Sequence, residues 1–390
     1  MIAGVEIESF TAFGSLQLSL SPRVNVVIGS NGTGKTHLLK AIYGLALAGL
    51  SASEDRSAKE VAADISRKLL RLFSPEESRL GTLRPSGVKA PTRLSLVSSD
   101  DTRVAISFGN RSETVQIEAD AGSTGHELQP VFIPTKEVLS LVRGMRHPDH
   151  DRATVEMIFD DGYIDLAELL VRPGFEDEAS SLAEDPRLSS VVRELVDLVG
   201  GRYRWTAGSA FRFEPGRYEE KADPTRSKSK MAQAYQDATV TRFVPKGGSS
   251  LASGMTAEGY RKIGVLHRLL CNGSINPGTT GVLLWDEPEA NLNPKLMKKV
   301  VQLLLELSRN GQQIILATHD YVLLKWFDLL MDKGKEDHVR FHVLVKAENS
   351  AAITVHSTDD YDQLVNTGIA KTFSELYDAE IERSLEGVSL

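Results

Sequence analysis

The octapeptide GSNGTGKT, residues 29–36, constrains this chain more than any other feature of its sequence. It follows the apolar run VNVVI and precedes HLLKAIYGLALAGL, which has a helical pattern. The spacing G-x-x-x-x-G-K-T predicts a strand–loop–helix unit whose backbone N–H groups converge on an anion, and the helix dipole favours negative charge there. We therefore expect a phosphate-binding loop, in which Lys35 reaches the β- and γ-phosphates and the Thr36 hydroxyl ligates Mg²⁺. Its members are Gly29, Ser30, Asn31, Gly32, Thr33, Gly34, Lys35 and Thr36.

Composition limits the broad class of protein. The chain has 390 residues, enough for about two or three lobes, and 41% hydrophobic with 25% charged residues is typical of a globular protein. A net charge of -8 gives no overall basic field toward DNA or acidic membranes. The single cysteine, Cys271, excludes an internal disulfide framework and fits a reducing cytoplasm. No signal peptide or bilayer-length apolar run is evident, so we expect a cytoplasmic location and no membrane partner.

The pattern along the chain suggests three parts. Residues 1–135 combine alternating strands, the phosphate loop and further short strands, as in an antiparallel sheet. Residues 136–255 are largely helical in pattern and include a polar stretch at 215–238 that we expect to be a mobile insertion. Residues 256–390 alternate helices with the buried strands VLLW and QIILAT, which predicts parallel central strands.

Two strand ends supply further candidate site residues. The strand in GVLLWDEPEANLNP ends at Asp286, a carboxylate suited to orienting Mg²⁺ beside the loop. Glu287 follows directly and is placed to polarise an attacking water. The strand in IILATHD ends before His319, which we expect near the γ-phosphate because of its order after the Asp-Glu strand.

These motifs, in this order, resemble those of an ABC-type ATPase. GSNGTGKT, LLWDEP, EANLNP and ATHD are similar to the Walker A, Walker B, D-loop and switch-histidine motifs of the SMC/RecF/OLD-like branch, often described as AAA family ATPases of the AAA15/AAA21 type. The opening ESFTAFGSLQLSLSPRVNVVIGSNGTGKTHLLKAIYG is similar to the N-terminal lobe of that branch. The resemblance implies an α/β fold: a P-loop ATPase head with a mixed central sheet, an antiparallel β subdomain and a helical lobe.

The resemblance also implies a mechanism. Two heads enclose two ATP molecules, and the signature loop of each head completes the site of the other. Lys35, Thr36 and Asp286 would bind ATP and Mg²⁺, Glu287 would be the catalytic carboxylate, and His319 would sense the γ-phosphate. Residues 290–293 would form the D-loop, although Asn293 stands where most members have Asp.

Two parts of the family pattern are ambiguous in this sequence. The signature L-S-G-G-Q matches either TAEGY, with Ala257, Glu258 and Gly259, or LASGM at residues 251–255. We favour TAEGY because it directly precedes a predicted helix, and neither match has serine at the second position. For the Q-loop, Gln129 is the first candidate and residues 134–136 are the alternative.

The biological role is open to several hypotheses. We favour a homo-oligomeric ATPase that controls a separately encoded nuclease or toxin, as stand-alone relatives do in prokaryotic anti-phage defence. About 70 residues follow His319, too few for the nuclease domain that OLD-like relatives carry. The alternative is a RecF/SMC-like DNA-binding ATPase of repair or maintenance, although sustained heptads are absent between Lys35 and Gly259. A transporter head and a nucleotide-gated binding protein rank lower.

Overall fold

The computed structural model describes residues 1–50, 56–119, 129–147, 149–174, 186–206, 210–222, 239–248, 250–346, 352–364, 375 and 378–383. The strands are β1 Ile2–Phe10, β2 Phe13–Ser19, β3 Val24–Gly29, β4 Thr92–Ser98, β5 Arg103–Phe108, β6 Gln116–Ala119, β7 Val131–Ile133, β8 Gly201–Thr206, β9 Ala210–Ala222, β10 Thr239–Pro245, β11 Leu251–Ala252, β12 Leu283–Asp286, β13 Ile314–Thr318, β14 Val339–Lys346 and β15 Ile353–Thr358. The α-helices are α1 Lys35–Leu45, α2 Ala58–Phe73, α3 Val142–Met145, α4 Arg152–Ile158, α5 Asp161–Leu170, α6 Pro186–Val199, α7 Glu258–Cys271, α8 Pro294–Arg309 and α9 Tyr321–Leu330.

A six-stranded mixed sheet forms the centre of the molecule, in the order β15-β14-β3-β13-β12-β7. All neighbours are parallel except β14 and β15, which pair as an antiparallel hairpin. Every residue of β3, β12 and β13 is buried, as expected of parallel strands covered on both faces. The predicted parallel central strands are therefore confirmed, and their carboxyl ends meet at one edge of the sheet.

A second sheet is antiparallel and follows the order β2-β1-β4-β5-β6. Alternate residues of β1 and β2 are buried, as the alternating sequence predicted. This sheet shares a hydrophobic cluster with α1 and α2. Helix α2 begins at a capping box. The Ser57 side chain accepts from the Glu60 N–H, and the Glu60 carboxylate accepts from the Ser57 N–H. The cluster holds α1, and with it the phosphate loop, against the central sheet.

The predicted helical lobe contains strands as well as helices. Helices α3 to α6 are followed by strands β8 to β11, of which β8, β10 and β11 all pair with β9. The expected mobile insertion is wrong for residues 215–222, because they continue β9 and pair with β10; residues 223–238 lie outside the described residues. Gly216 permits this pairing, since a Cβ there would lie 2.4 Å from the Phe243 ring.

The second hydrophobic cluster joins the central sheet to this lobe and to α7, α8 and α9. Gly264 of α7 lies against Tyr203 of β8, where a Cβ would be only 2.2 Å from the ring. Such contact fixes α7 to the lobe on one side and to the central sheet on the other. The three-part division at 135 and 255 stays a prediction, and the predicted C-terminal helix lies largely outside the described residues.

Candidate nucleotide-binding site

The phosphate loop connects β3 to α1 at the carboxyl edge of the central sheet. Gly32 and Gly34 have φ angles of 81° and 85°, in the left-handed region that glycine adopts readily. A Cβ on Gly34 would lie 2.7 Å from the Phe13 ring. Ser30, Asn31 and Gly32 are exposed at the lip of the loop, whereas Thr33 is buried and its hydroxyl donates to the Ser30 carbonyl over 2.9 Å. The glycines are therefore required by the backbone, and the exposed N–H groups at the start of α1 suit an anion.

The Lys35 ammonium lies inside this loop. Its Nζ donates to the carbonyl oxygens of Gly29 at 2.7 Å and Ser30 at 3.2 Å, and the residue is only 6% exposed. Burial lowers the pKa of Lys35, while Glu287 and Asp286 oppose that shift. The amine is thus placed at the centre of the predicted phosphate site.

The Asp286 carboxylate lies beside the loop and accepts two hydroxyl bonds. Its Oδ2 is 2.8 Å from the Thr36 hydroxyl and 2.8 Å from the Thr135 hydroxyl. The other oxygen, Oδ1, is buried and has no partner among the described residues, and burial raises the pKa of Asp286. A buried carboxylate oxygen without a hydrogen-bond partner is unfavourable unless a cation binds to it. The donor set therefore fits Mg²⁺, which usually takes one or two carboxylates together with phosphate oxygens.

Glu287 and His319 come from neighbouring strand ends and meet above Asp286. The His319 Nδ1 atom lies 3.2 Å from Glu287 Oε1. Glu289 Oε1 is 3.7 Å from the same nitrogen and accepts from the Thr318 hydroxyl at 2.7 Å. The His319 side chain is 46% exposed and Glu287 25%, so both can reach a group entering from solvent. The structure thus brings Lys35, Thr36, Asp286, Glu287 and His319 together.

Gln129 is not part of this arrangement. It precedes β7, and its carbonyl accepts from the Gly281 N–H ahead of β12, so it lies at the amino edge of the sheet, opposite the phosphate loop. Its side chain accepts from Arg172 instead. The prediction that Gln129 contacts nucleotide is corrected. Gln129 lies before β7 at the amino edge of the sheet, whereas the site lies at the carboxyl edge, after β7. Thr135, within the alternative residues 134–136, is the one that meets Asp286.

The predicted signature residues begin α7 and contact the D-loop of the same chain. Ala257 is the N-cap of α7, and Glu258 Oε1 accepts from the Asn291 side chain at 2.8 Å. A Cβ on Gly259 would lie 2.7 Å from the Asn291 carbonyl oxygen. Gly259 is therefore explained by close packing within one chain, and contact with a partner's nucleotide stays a prediction.

In the rival signature match, the serine is not available to a ligand. Residues of LASGM form β11 and a 3₁₀ turn, and Ser253 is 7% exposed with its hydroxyl directed to the Leu139 carbonyl. Ser253 therefore does not replace the missing signature serine. Asn293, where most members have Asp, caps α8 by accepting from the Lys295 N–H at 3.0 Å, a role that either residue type performs.

Two residues of the site, Lys262 and Glu289, were missed by sequence reasoning, and Thr135 was considered only within the alternative residues 134–136. Glu289 stands in the DEPE string, two positions after Glu287, but its burial was not predictable from that spacing. Burial raises the pKa of Glu289, and burial lowers the pKa of Lys262 to about 8. A lysine in the buried stripe of α7 was the available signal for Lys262, since lysine is rarely fully buried without a partner.

Comparisons with known proteins agree with these motifs. One family model, described as "AAA domain", matches residues 5–130, and another, described as "AAA domain, putative AbiEii toxin, Type IV TA system", matches residues 173–325. The DNA replication and repair protein RecF of Lactobacillus johnsonii is 31% identical over 143 residues, covering 37% of this chain and 33% of that protein. Both matched regions are similar to AAA-type domains, and the chain resembles ATPases of the SMC/RecF-like group. The match spans about a third of the length of that RecF protein.

Further proteins are similar to this chain. The RecF protein of Bacillus thuringiensis is 43% identical over 47 residues, 12% of each chain. A solved SMC head bound to the C-winged helix domain of ScpA aligns with a TM-score of 0.48 and 16% identity, covering 92% of this chain and 97% of that one. The SMC head domain from Thermotoga maritima gives 0.45 and 13%, covering 92% and 98%. In the part of the chain that is described, no helix has the length and apolar character needed to cross a membrane.

Proposed function

We propose that this protein binds ATP with Mg²⁺ and hydrolyses it at the carboxyl edge of the central sheet. One observation carries the proposal: the phosphate loop, the Asp286 carboxylate and the Glu287–His319 pair, 3.2 Å apart, converge from three neighbouring strands. Three separate sequence segments placing complementary groups around one loop favour a reaction site over an anion-binding turn.

The residues divide into binding and proton-handling groups. The loop N–H groups and Lys35 would hold the phosphates, and Thr36 with Asp286 would hold Mg²⁺. When bound, Mg·ATP supplies a polarised γ-phosphoryl group for transfer to water. The Glu287 carboxylate would orient that water and accept its proton, and His319 would donate a hydrogen bond where negative charge develops.

ATP turnover by the purified chain tests this proposal. We expect phosphate release that requires Mg²⁺ and disappears in Lys35→Ala, since that variant loses the cation inside the loop. Lys295→Ala, which removes an exposed lysine at the start of α8, is the control and should retain the wild-type rate. Equal turnover in wild type and Lys35→Ala would assign the activity to a contaminant and refute the site.

Oligomerisation around nucleotide is the second element of the proposal. Met255, in the turn before α7, is 74% exposed, and Tyr260 in the first turn of α7 is 38% exposed. Both lie next to the predicted signature residues, which gives a second copy an apolar contact. Light scattering on Glu287→Gln should show a doubled mass with Mg·ATP and a monomer without it. A monomer under both conditions would contradict a sandwich formed by two copies of this chain.

We further propose that nucleotide state controls a separately encoded effector, a nuclease or toxin, in anti-phage defence in the cytoplasm. The match to a family described by a toxin of a type IV toxin–antitoxin system supports this role. Co-purification from the native host should recover the product of a neighbouring gene, and ATP should change the recovered amount. Recovery that is insensitive to nucleotide would argue against control by this ATPase.

A second candidate function is DNA binding in repair or maintenance. It is favoured by the similarity of 143 and 47 residues of this chain to two RecF proteins. Its test is binding of double-stranded DNA over a range of salt concentrations. Phosphate contacts predict affinity that falls steeply with salt. Binding of that kind, without a protein partner, would make this candidate the first choice.

A further inference from the structure

Glu287 has an unusual main-chain conformation. Its φ angle is 48°, in the left-handed region that costs a non-glycine residue about 1 kcal/mol or more. Its N–H donates to the Ala317 carbonyl over 2.9 Å and so extends the pairing of β12 with β13 by one residue. That bond anchors the nitrogen side of Glu287, and on the carbonyl side the Ala290 N–H donates to the Glu287 oxygen at 3.1 Å.

Lys262 adds a side-chain contact from a different element to the same carbonyl oxygen. Its Nζ donates to the Glu287 carbonyl oxygen at 2.9 Å, and the residue is 1% exposed. Among the described residues, no carboxylate oxygen lies within ion-pair distance of this ammonium, so its hydrogen bond goes to main chain. Burial of an ammonium group is unfavourable. A residue with only a packing role would not need the ammonium group, because Met or Leu fills the same space.

The surrounding charges offset part of that burial. The carboxylates of Glu289, Glu258 and Glu287 all favour the charged form of Lys262, against the desolvation that lowers its pKa to about 8. Glu289 is itself buried and has one oxygen, Oε2, without a partner among the described residues. The field of these carboxylates favours a cation at this buried position between α7 and the strand end.

Helix α7 therefore contacts the segment from Glu287 to Asn291 at both ends. Lys262 binds the Glu287 carbonyl, and one turn earlier Gly259 packs on the Asn291 carbonyl while Glu258 accepts from the Asn291 side chain. Asn291 is also left-handed, with φ of 62°. The two unusual backbone conformations of this segment are both contacted by the first two turns of α7.

We propose that Lys262 is a positioning residue, which holds the Glu287 main chain in its left-handed conformation and so keeps the Glu287 carboxylate beside His319. This inference rests on the proposed ATPase function. Lys262 acts through Glu287 and touches no reacting atom, so its loss should lower the rate of hydrolysis and leave ATP affinity nearly unchanged. Misplacement of a reacting group by about 1 Å can lower a rate about 100-fold.

The test compares Lys262→Met with a matched control on the same helix. Arg268→Met also removes a buried cation that donates to main-chain carbonyls, those of Leu170 and Arg172, and lies away from the site. For Lys262→Met we expect kcat to fall about 10- to 100-fold with KM within about threefold of wild type. Arg268→Met should lower thermal stability and leave kcat within about twofold of wild type.

A double variant separates positioning from a direct role. If Lys262 acts only through Glu287, adding Lys262→Met to Glu287→Gln should change the residual rate by less than about twofold. A further large decrease would show that Lys262 contributes independently of Glu287 and would overturn the proposal. An unchanged kcat in Lys262→Met, or a weakened ATP affinity that accounts for its whole effect, would overturn it as well.

Amide hydrogen exchange provides a measurement that needs no turnover. In Lys262→Met the Glu287 N–H should exchange faster, because its bond to Ala317 depends on the same backbone conformation, while Arg268→Met should leave it protected. Equal protection in wild type and Lys262→Met refutes the positioning role. A wild type that binds ATP without hydrolysing it refutes the proposed activity alone, and this exchange measurement then still decides the role of Lys262.

Discussion

Two clusters of charged side chains contact helix α1 and differ in how their charges are satisfied. At its first turn, Asp286 and Glu289 each keep a buried carboxylate oxygen that lacks a partner among the described residues. Farther along α1 and on α2, cations meet the three aspartates of α5 and its cap, Asp160, Asp161 and Asp165. Lys40 lies 2.7 Å from Asp160, Lys68 lies 2.6 Å from Asp161 and 3.0 Å from Asp165, and Arg71 also bonds Asp161.

The difference indicates different purposes. The second cluster joins α1 and α2 to α5 with paired charges, so removal of one partner should lower stability. The first cluster places acceptors where no group in the described part of the chain satisfies them, which is unfavourable for folding and suits a bound cation.

The largest expected effect follows from removing the proton acceptor of the first cluster. Glu287→Gln should lower kcat for ATP hydrolysis by about 100- to 10,000-fold, the range for general-base catalysis, with ATP affinity largely retained. Glu156→Gln in the second cluster, which alters the partner of Arg71, serves as the control and should keep the wild-type rate. A Glu287→Gln rate equal to wild type would remove Glu287 from the mechanism.

His342 lies in neither cluster, and its protonation should make the stability of the central sheet depend on pH. It is fully buried between β3 and β15, where it contacts Asn25 and Ser357, and burial lowers its pKa to about 4. The unfolded chain therefore binds more protons than the folded chain between about pH 6.5 and 4, so stability falls as pH falls through that window. Between pH 6.5 and 5 the loss should be about 2 kcal/mol.

Denaturant unfolding of wild type and His342→Gln at several pH values checks this expectation. The glutamine variant should lose most of the pH dependence between 6.5 and 5, whatever its stability at pH 7. The same slope in both proteins would mean that other groups, such as carboxylates of the two clusters, dominate the acid response.

A direct comparison of the clusters replaces one aspartate in each. Asp161→Asn leaves Lys68 and Arg71 short of negative charge and should lower the free energy of unfolding by about 1.5 kcal/mol. Asp286→Asn removes a poorly satisfied buried charge and should leave stability unchanged or higher, while Mg·ATP no longer stabilises the protein. Thermal melts with and without Mg·ATP measure both effects; a large destabilisation by Asp286→Asn would show that the first cluster is also structural.

Sequence reasoning predicted the parts of the site that follow directly from strands. Asp286, Glu287 and His319 stand at or just after the ends of buried runs, and parallel strands bring such ends together. Gln129 was misassigned because a short strand of three residues, β7, separates it from the edge where Thr135 lies. Register of so short a strand is not readable from alternation.

The fold outside the central sheet was less predictable. The polar composition of residues 215–222 suggested an insertion, yet the segment pairs with β10 on a sheet, and Glu219 forms an ion pair with Arg217 of the same strand at 2.8 Å. Lys262 and Glu289 owe their roles to packing between α7 and the strand ends, contacts of long sequence separation that no local pattern reveals. Tertiary contacts therefore determine these features, which local secondary-structure propensity does not predict.

The smallest expected effect asks whether α1 only carries the phosphate loop or also links the two clusters. Lys40 donates to the Leu72 carbonyl and to Asp160, so Lys40→Met should lower stability by about 1 kcal/mol and leave kcat within about twofold of wild type. Urea unfolding and steady-state ATP hydrolysis measure the two quantities, and Lys59→Met, an exposed lysine of α2, is the control. A fall in kcat beyond the loss of folded protein would mean that the ion pairs of α5 influence the phosphate loop through α1, and the two clusters would then form one functional unit.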